Sequence, residues 1–423
     1  MKKYMILAAA AALTLASCAK IETSTVRPAM DEEIPIGFST YSPRSITKAG
    51  DTFTNTTALP TAKKIGVFAY STPATSTNAN AHLTANGEKP DFITNGEVSF
   101  AAASSAPTGA TVKRYWPKDL KNLLSFYGYY PYQSDLSTTT GITSMPTKDT
   151  EASAANGLGS FGFTQTADVT TMIDFMISDV QNDMYYWSND TTDPAATSTN
   201  TYGRKSFIVN SDYGVVPLTL RHMMSKVNFY FKTNIPETDI EIKVKEASIS
   251  GVLSKGTFKV SYAAPDTEGN QGETSFTPTT NTAYANPFVI PIGSTDNTSD
   301  FNYIILPKPS APGVTPVVNP DPSINYKDKA GTITKNNFLF VPQTVGDDVK
   351  VKIVYDLTQG TTTTENTVEV KIKGTANSTT NAITEWKYNH QYNYIFTIGL
   401  HEILFTGAAT AWTDGGEANI TVQ

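Results

Sequence analysis

The chain has little cysteine, little charge and no long apolar run after its first residues, and each shortage excludes a class of protein. Among 423 residues there is one cysteine, Cys18, which excludes disulfides, CxxC redox sites and thiolate metal clusters. Charged residues make up only 17%, and the net charge of −7 argues against nucleic acid or anionic lipid as a partner. Beyond the N-terminus, no segment has the about 20 apolar residues that a spanning helix needs.

Catalytic and metal-binding signatures are also scarce. The four histidines lack the HExxH or HxH spacing that brings two imidazoles onto one metal ion. They are His82, His222, His390 and His401. No GxSxG elbow is present, and the acidic segment 296–300 lacks the spaced ligands of a calcium loop. Paired carboxylates of a glycosidase stay open, because the fold sets their spacing.

One short stretch fits a cofactor motif in its letters. Residues 157–162 read GLGSFG and match GxGxxG, but a dinucleotide site needs a preceding strand and a following helix, and neither is indicated here. We interpret the stretch as a flexible loop. The sequence therefore predicts a protein without enzymatic activity, cofactor or metal.

The first eighteen residues have the pattern of an export signal. Two lysines precede an apolar stretch from Met5 to Leu15, which is too short to span a membrane. The letters LASC that end at Cys18 resemble the bacterial lipobox, in which the cysteine is acylated and becomes the mature N-terminus. Residues 1–17 are thus predicted to be a lipoprotein signal peptide, with palmitate and other acyl chains on Cys18 at the outer membrane. The alternative is a secretory signal that ends in cysteine by chance.

Apolar side chains alternate with a period of two along much of the chain, whereas a 3.6-residue period hardly appears. The abundance of Thr, Ser, Asn and aromatic residues suits strands with one apolar and one solvated face. The alternating sets are Ile34, Ile36, Phe38; Ile65, Val67, Ala69; Leu124, Phe126; Val216, Leu218, Leu220; Val227, Phe229, Phe231; Ile242, Val244; Val349, Val351, Ile353, Tyr355; Val368, Val370, Ile372; and Tyr392, Tyr394, Phe396, Ile398, Leu400. The sequence predicts an all-β fold, with a helix or a strand equally compatible at 172–176.

Polar stretches between these strands predict loops. They cover residues 71–88, 136–165, 189–203, 264–285 and 310–330. A chain of this length exceeds the usual size of one core, so two β-sandwich domains in series are the simplest architecture. We place the first domain at 45–213 and the second at 214–406, with a strand from Val215 opening the second.

Several short segments, taken in order, resemble the fimbrillins, the Mfa-like group of Bacteroidales type V pilus proteins. They are IPIGF at 34–38, IGVFAY at 65–70, YWP at 115–117, LSFYGYYP at 124–131, LTLRHMMSKV at 218–227, VPQ at 341–343, Trp386, YNY at 392–394, ILF at 403–405 and Trp412. The resemblance implies two transthyretin-like β-sandwich domains and subunits that polymerise by strand exchange. In such pilins a protease cuts after a basic residue beyond the first strand, that strand leaves, and a neighbour's C-terminal strand fills the groove.

The chain offers both strands that this mechanism needs, each with apolar residues at spacing two. They are Ile34, Ile36 and Phe38 in the outgoing strand, and Trp412, Ala418, Ile420 and Val422 in a donor segment at 407–423. Alternation does not name the partner sheet, so 417–423 can instead be the last strand of its own domain, with Trp412 in the core.

Processing needs an exposed basic residue after the first strand. Arg44, followed by Ser45, lies in a turn-prone segment and is the predicted cleavage site, which makes 18–44 a propeptide. Where relatives often carry Thr-Arg-Ala, this chain has Lys48 before Ala49, so a less specific protease would cut there. Each of these residues can also be an ordinary surface charge.

Two functional classes follow. The first is a pilus stalk or tip subunit, exported as a lipidated precursor, assembled with copies of itself or related pilins at the cell surface, and contributing to adhesion. An anchor subunit that keeps its lipid is a variant. The second is a lipid-anchored surface module that binds a glycan or another ligand through aromatic residues, although such residues are more often part of a core. Its candidates are Trp116, Tyr129, Tyr130, Tyr185, Tyr186 and Trp187.

Overall fold

The structure is a computed structural model that describes the chain in segments. The described residues are 35–41, 63–73, 92–99, 109–110, 114–117, 122–147, 157–185, 207–208, 215–233, 235, 239–262, 274–290, 304–306, 325–327, 333–335, 338–373, 383–399 and 403–411. They are almost entirely strands, apart from a short 3-10 helix at Val169–Thr171, and the all-β prediction is confirmed. No helix in these segments has the length and apolar character needed to cross a membrane.

The strands of the described segments are numbered in chain order. They are β1 (Gly37–Tyr41), β2 (Lys64–Pro73), β3 (Ile93–Ser99), β4 (Gly109–Ala110), β5 (Asn122–Tyr130), β6 (Gly141–Thr147), β7 (Gly157–Thr164), β8 (Met176–Ser178), β9 (Gln181–Tyr185), β10 (Phe207–Ile208), β11 (Val215–His222), β12 (Ser225–Thr233), β13 (Ile240–Ser250), β14 (Leu253–Tyr262), β15 (Thr274–Ala283), β16 (Phe288–Ile290), β17 (Ile304–Ile305), β18 (Asn325–Lys327), β19 (Ile333–Lys335), β20 (Phe338–Phe340), β21 (Gln343–Thr344), β22 (Lys350–Gln359), β23 (Thr362–Lys371), β24 (Glu385–Trp386), β25 (His390–Ile398) and β26 (Ile403–Ala411). Most of the strands predicted from alternation are present.

The first sheet has the order β1-β11-β8-β5-β2-β3-β4, with β9 paired to β5 and β10 paired to β9. Its central strands β2 and β5 are buried on both faces. In β2, Ile65 and Val67 enter one apolar cluster, here called the first core, whereas Phe68 and Tyr70 enter an aromatic cluster on the opposite face. The prediction of a solvated face is therefore wrong for these two strands, because other parts of the chain cover both sides.

The second sheet, β15-β14-β7-β6, covers the aromatic face of the first sheet. Phe161 of β7 contacts the rings of Phe68, Tyr127 and Tyr129 edge to face, at centroid distances of 5.6–5.9 Å. Aromatic pairs in this geometry contribute about 0.5–1.5 kcal/mol each beyond the area that they bury. The two sheets thus form a sandwich joined by aromatic side chains.

Strands β6, β7 and β15 lie in stretches that the polar composition predicts to be loops. The loop interpretation of 136–165 and 264–285 is wrong there, and the GxGxxG match forms part of β7. Phe161 and Phe163 stand two residues apart in this strand, and both enter the aromatic cluster. A Cβ at Gly162 would lie 2.7 Å from hydroxyl oxygens of β6, so glycine permits the close approach of the two strands.

A second sandwich forms from the later strands. Sheet β20-β12-β25-β26 packs on sheet β16-β13-β22-β23, in which β17 also pairs with β13. At the centre of the shared core, Trp386 Nε1 donates a hydrogen bond to the Tyr394 hydroxyl at 2.8 Å, and Phe340 stacks on the indole at 5.3 Å. Two-stranded ladders, β18–β19 and β21–β24, complete the described pairings.

Strand β11 lies in a different sheet from the one that the sequence predicts. A second domain that begins at residue 214 would include β11 in the second sandwich. Instead, β11 pairs with β1 and β8 of the first sheet. Val216, Leu218 and Leu220 are buried in the first core, which accounts for this position. The second sheet also combines β6 and β7 with β14 and β15. A division at 214 therefore separates strands that pair with one another.

Candidate functional site

Strand β1 lies at one end of the first sheet and pairs in parallel with the first half of β11. The register joins Gly37 to Val215 and continues pair by pair to Tyr41 opposite Thr219. The next strand of the sheet, β8, pairs with the other half of β11, from Leu220 to His222. The backbone of β11 from Val215 to Thr219 thus depends on β1 for its ladder hydrogen bonds on that side.

The side chains of β1 and the residue before it fill the first core. Ile36 is 3% exposed and Phe38 1% exposed, and Thr40 at the next alternate position is buried as well. The Phe38 ring meets Phe126 edge to face at 5.9 Å. Burying an Ile or Phe side chain contributes about 1.5–3 kcal/mol, so these two residues hold the strand firmly in place. Their spacing of two is the signal by which the sequence revealed them.

A second segment of the chain, Arg114–Trp116, holds the start of β1. The Ile36 N–H donates to the Arg114 carbonyl at 2.8 Å, and Pro35 forms an isolated antiparallel bridge with Tyr115. Trp116 is buried and lies 5.7 Å from Phe126, the ring that Phe38 also contacts. Strand β1 therefore occupies a trough whose walls are β11 and this segment. The letters YWP indicate a family resemblance, but nothing in them indicates this contact.

Polar contacts fix β11 independently of β1. Arg221 binds Asp179 through two parallel hydrogen bonds of 2.8 and 3.0 Å, which is the strong bidentate geometry of guanidinium and carboxylate. His222 Nδ1 lies 2.8 Å from an Asp174 carboxylate oxygen, and the Asp179 N–H donates to the Thr219 carbonyl. These contacts involve β8 and its flanking residues, so loss of β1 leaves the far end of β11 anchored.

The C-terminal strand of the described chain is also an edge strand. β26 pairs antiparallel with β25 over its whole length, from Ile398 opposite Ile403 to His390 opposite Ala411. In the sheet order it has β25 as its neighbour and ends the row. Residues 407–411, which the predicted donor segment includes, therefore belong to the second sandwich. The rest of the predicted donor segment, residues 412–423, lies outside the described residues.

Many of the residues singled out from the sequence lie outside the described segments. They are Cys18, Ile34, Arg44, Ser45, Lys48, Ala49, Trp412, Ala418, Ile420 and Val422, with Tyr186, Trp187, His82, His401 and the acidic segment 296–300. Their predicted roles stay predictions. In the described part of the chain, no three His, Cys, Asp or Glu side chains come together as ligands for a metal ion.

Burial is described for three of the six aromatic residues considered for ligand binding, and all three are buried. Trp116 is 4%, Tyr129 0% and Tyr130 8% exposed, so none of these three offers a ring face to a ligand. Burial raises the pKa of Tyr129, because ionising the phenol there would place a charge in a poorly solvated site. Tyr185 lies in β9. These three rings thus lie in the core, and the prediction that they form a ligand-binding surface is wrong.

The fold and the site define an all-β protein of packed sheets, whose first described strand fills a trough in the first core. A sequence model described as fimbrillin-like matches residues 47–412, and the chain belongs to this family. Membership implies a structural subunit of a cell-surface pilus that assembles with other pilin subunits.

Solved structures of low identity accompany the family match. A fimbrial protein from Bacteroides vulgatus is 18% identical with a TM-score of 0.49, and the match covers 90% of this chain and 100% of that one. A putative cell adhesion protein from Bacteroides uniformis is 15% identical, with a TM-score of 0.40 and coverage of 90% and 99%. Another from Parabacteroides distasonis is 10% identical, with a TM-score of 0.41 and coverage of 90% and 97%. No curated protein matches the chain.

Proposed function

We propose that the chain is a stalk or tip subunit of a cell-surface pilus, exported as a lipoprotein through Cys18 and polymerised when proteolysis releases β1. The observation that carries the proposal is the position of β1. It is an edge strand in which Phe38 is buried in the first core, as is Ile36 directly before the strand, and it pairs in parallel with a strand that is distant in the chain. Such a strand can leave without breaking the order of the other strands.

The sequence supplies candidate cleavage residues shortly after this strand. Arg44 follows the last residue of β1, Tyr41, by three positions, and Lys48 is the next basic residue. A cut after either residue leaves β1 attached to the subunit by noncovalent contacts alone. These contacts are the ladder with β11, the Arg114–Trp116 segment and the burial of two large apolar side chains.

Departure of β1 would create a site that a strand fits. It would leave unpaired backbone groups along Val215–Thr219 and an apolar trough lined by Val216, Leu218 and Phe126. An added strand satisfies the backbone groups and fills the trough at the same time, which is the physical basis of strand addition. The apolar alternation of Ala418, Ile420 and Val422 matches the alternation of Ile34, Ile36 and Phe38 in the sequence.

The lipid has a delivery role in this scheme. Cys18 precedes the predicted cut, so the lipid leaves together with β1 when the strand is displaced. Until then β1 occupies the trough and prevents premature addition of a donor strand. A subunit that keeps both its lipid and β1 would instead act as an anchor at the outer membrane.

The N-terminal sequence of the protein recovered from assembled surface fibres tests the proposal. A start at Ser45 or Ala49 is expected, because the polymer contains subunits that have lost β1. A start at acylated Cys18 in the assembled form would refute release of the strand and would favour the anchor or a lipid-anchored binding module.

A further inference from the structure

An open polar cleft lies beside the first sandwich, away from the β1 trough. Its volume is about 600 Å³, and it is formed by β3, the loop after β5 and the start of β6. Binding sites for small ligands commonly have volumes of about 300–1,000 Å³. The cleft is therefore large enough for one or two sugar rings.

The lining of the cleft is rich in hydroxyl groups and carries one carboxylate. Thr94, Tyr132, Ser134, Asp135, Ser137 and Thr143 contribute to it. Among the described residues that form it, none is Lys, Arg or His. Ser134 is exposed and Thr143 partly exposed at the cleft, so both residues are accessible to a ligand.

Asp135 is prepared as a hydrogen-bond acceptor. Its Oδ1 accepts from the Ser137 N–H at 2.8 Å and from the Ser137 hydroxyl at 2.6 Å, which orients the carboxylate and leaves Oδ2 for a ligand. The same two hydrogen bonds lower the pKa of Asp135, so the group is ionised at neutral pH. An ionised carboxylate accepts hydrogen bonds from hydroxyl groups more strongly than a neutral acceptor does.

Hydrogen bonds through Gln133 hold the loop that carries these groups. The Gln133 amide donates to the Ile142 carbonyl and to the Thr138 hydroxyl, both at 2.7 Å, and accepts from the Ile142 N–H at 3.0 Å. On the other wall, Asn95 has a positive φ of 52° and accepts a 2.6 Å hydrogen bond from the Tyr129 hydroxyl. A loop fixed in this way loses little entropy when a ligand binds.

The charge of the cleft selects among ligands. A phosphate, sulfate or sialic acid would face Asp135 without a basic side chain from the lining to balance its charge. A divalent cation would find one carboxylate, whereas calcium takes six to eight oxygen ligands. A neutral sugar instead offers vicinal hydroxyls to the carboxylate and the serine and threonine groups, and an apolar face to the partly exposed Tyr132.

We propose that this cleft, built from Tyr132, Ser134, Asp135 and Thr143, binds a neutral saccharide. The site shares no residue with β1 or with the trough that β1 fills. Saccharide binding is therefore independent of proteolytic release of the strand, and the two proposals can fail separately.

Ligand-observed NMR on the full mature chain tests the site. The probes are lactose, N-acetylglucosamine and methyl α-mannoside, with 3′-sialyllactose as the charged comparison. At least one neutral probe is expected to bind, and Asp135→Asn is expected to weaken it about tenfold or more, because a charge-assisted acceptor is lost. Thr143→Val removes one hydroxyl at nearly constant shape and should weaken binding less.

The control separates the cleft from general effects of charge. Asp347→Asn removes an exposed carboxylate that pairs with Lys373 elsewhere, and it should leave binding unchanged. Asp135→Asn keeps an oxygen that accepts from Ser137, and an unchanged unfolding midpoint shows that the loop stays folded. The proposal is overturned if no neutral probe binds below about 10 mM, if only the sialylated probe binds, or if Asp135→Asn binds as well as Asp347→Asn.

Discussion

Replacement of Phe38 by alanine probes how strongly β1 is held in the precursor. The ring is 1% exposed and packs edge to face on Phe126 at 5.9 Å. Truncation of a buried phenylalanine costs about 3–5 kcal/mol of the free energy of unfolding, through lost burial and the cavity that remains. Because β1 is an edge strand that can shift towards the cavity, we expect a value near the lower limit, about 3 kcal/mol.

Urea unfolding of the non-lipidated precursor, which starts at residue 19, measures this loss. Trp116, 5.7 Å from Phe126, provides a fluorescence signal close to the site. Val289→Ala is the control, since Val289 is 54% exposed in the other sandwich and its truncation should change stability by less than about 0.5 kcal/mol. A loss below about 1 kcal/mol for Phe38→Ala would show that the ring does not hold β1 in a packed core, and would refute the trough as described.

Three further predictions concern other parts of the molecule. Gln133→Ala removes the hydrogen bonds to Ile142 and should lower the free energy of unfolding by about 2 kcal/mol. Amide exchange across residues 133–142 should become faster. Unchanged exchange would show that Gln133 does not hold this loop. Burial, reinforced by the neighbouring Tyr70, raises the pKa of Tyr127, and burial raises that of Tyr394. The unfolded phenols lose their protons from about pH 10 while the folded ones keep them, so the free energy of unfolding should fall above that pH. Absorbance at 295 nm should show phenols that ionise only when the protein unfolds. Complete ionisation of these phenols in the folded protein would contradict this prediction. Removal of residues 412–423 spares β26, so it should leave a folded monomer that forms no ladders after cleavage, whereas ladders of normal length would exclude this segment as the donor.

The sequence predicted the strands more readily than the sheets. Alternation located β1, β2, β11, β12 and β25, because one face of each strand must be apolar. It failed for β7, where glycines and polar letters surround Phe161 and Phe163, and a Ser/Gly-rich strand resembles a loop until its partner is known. In β2 and β5 the aromatic residues Phe68, Tyr70, Tyr127 and Tyr129 lie on the face opposite the first core, and only the second sheet shows that this face is buried as well.

The sequence predicted which residues of the first strand are apolar and buried, but not which other parts of the chain they contact. Ile36 and Phe38 were identifiable from spacing, but their pairing with β11 joins residues far apart in the chain. Local sequence holds no information about such a contact, because many alternating strands offer an equivalent apolar face. The contact with Arg114–Trp116 was missed for the same reason, and so was the polar cleft, whose residues come from three separate elements.

A reversible cross-link between β1 and β11 tests the central claim, that β1 must leave for subunits to join. Ser39 and Pro217 are register partners. Cysteines at adjacent positions of paired strands come within the range that a disulfide spans. A precursor with Ser39→Cys and Pro217→Cys, and with Cys18→Ser to remove the native thiol, can therefore be locked by oxidation. The single-cysteine variants serve as controls.

After limited proteolysis at Arg44 or Lys48, the oxidised double variant should keep β1 and form no ladders. Addition of a thiol reductant should release β1 and restore assembly to the level of the single-cysteine controls. Ladders of full length from the locked, cleaved protein would contradict the account, because subunits would then be joining while β1 still fills its trough.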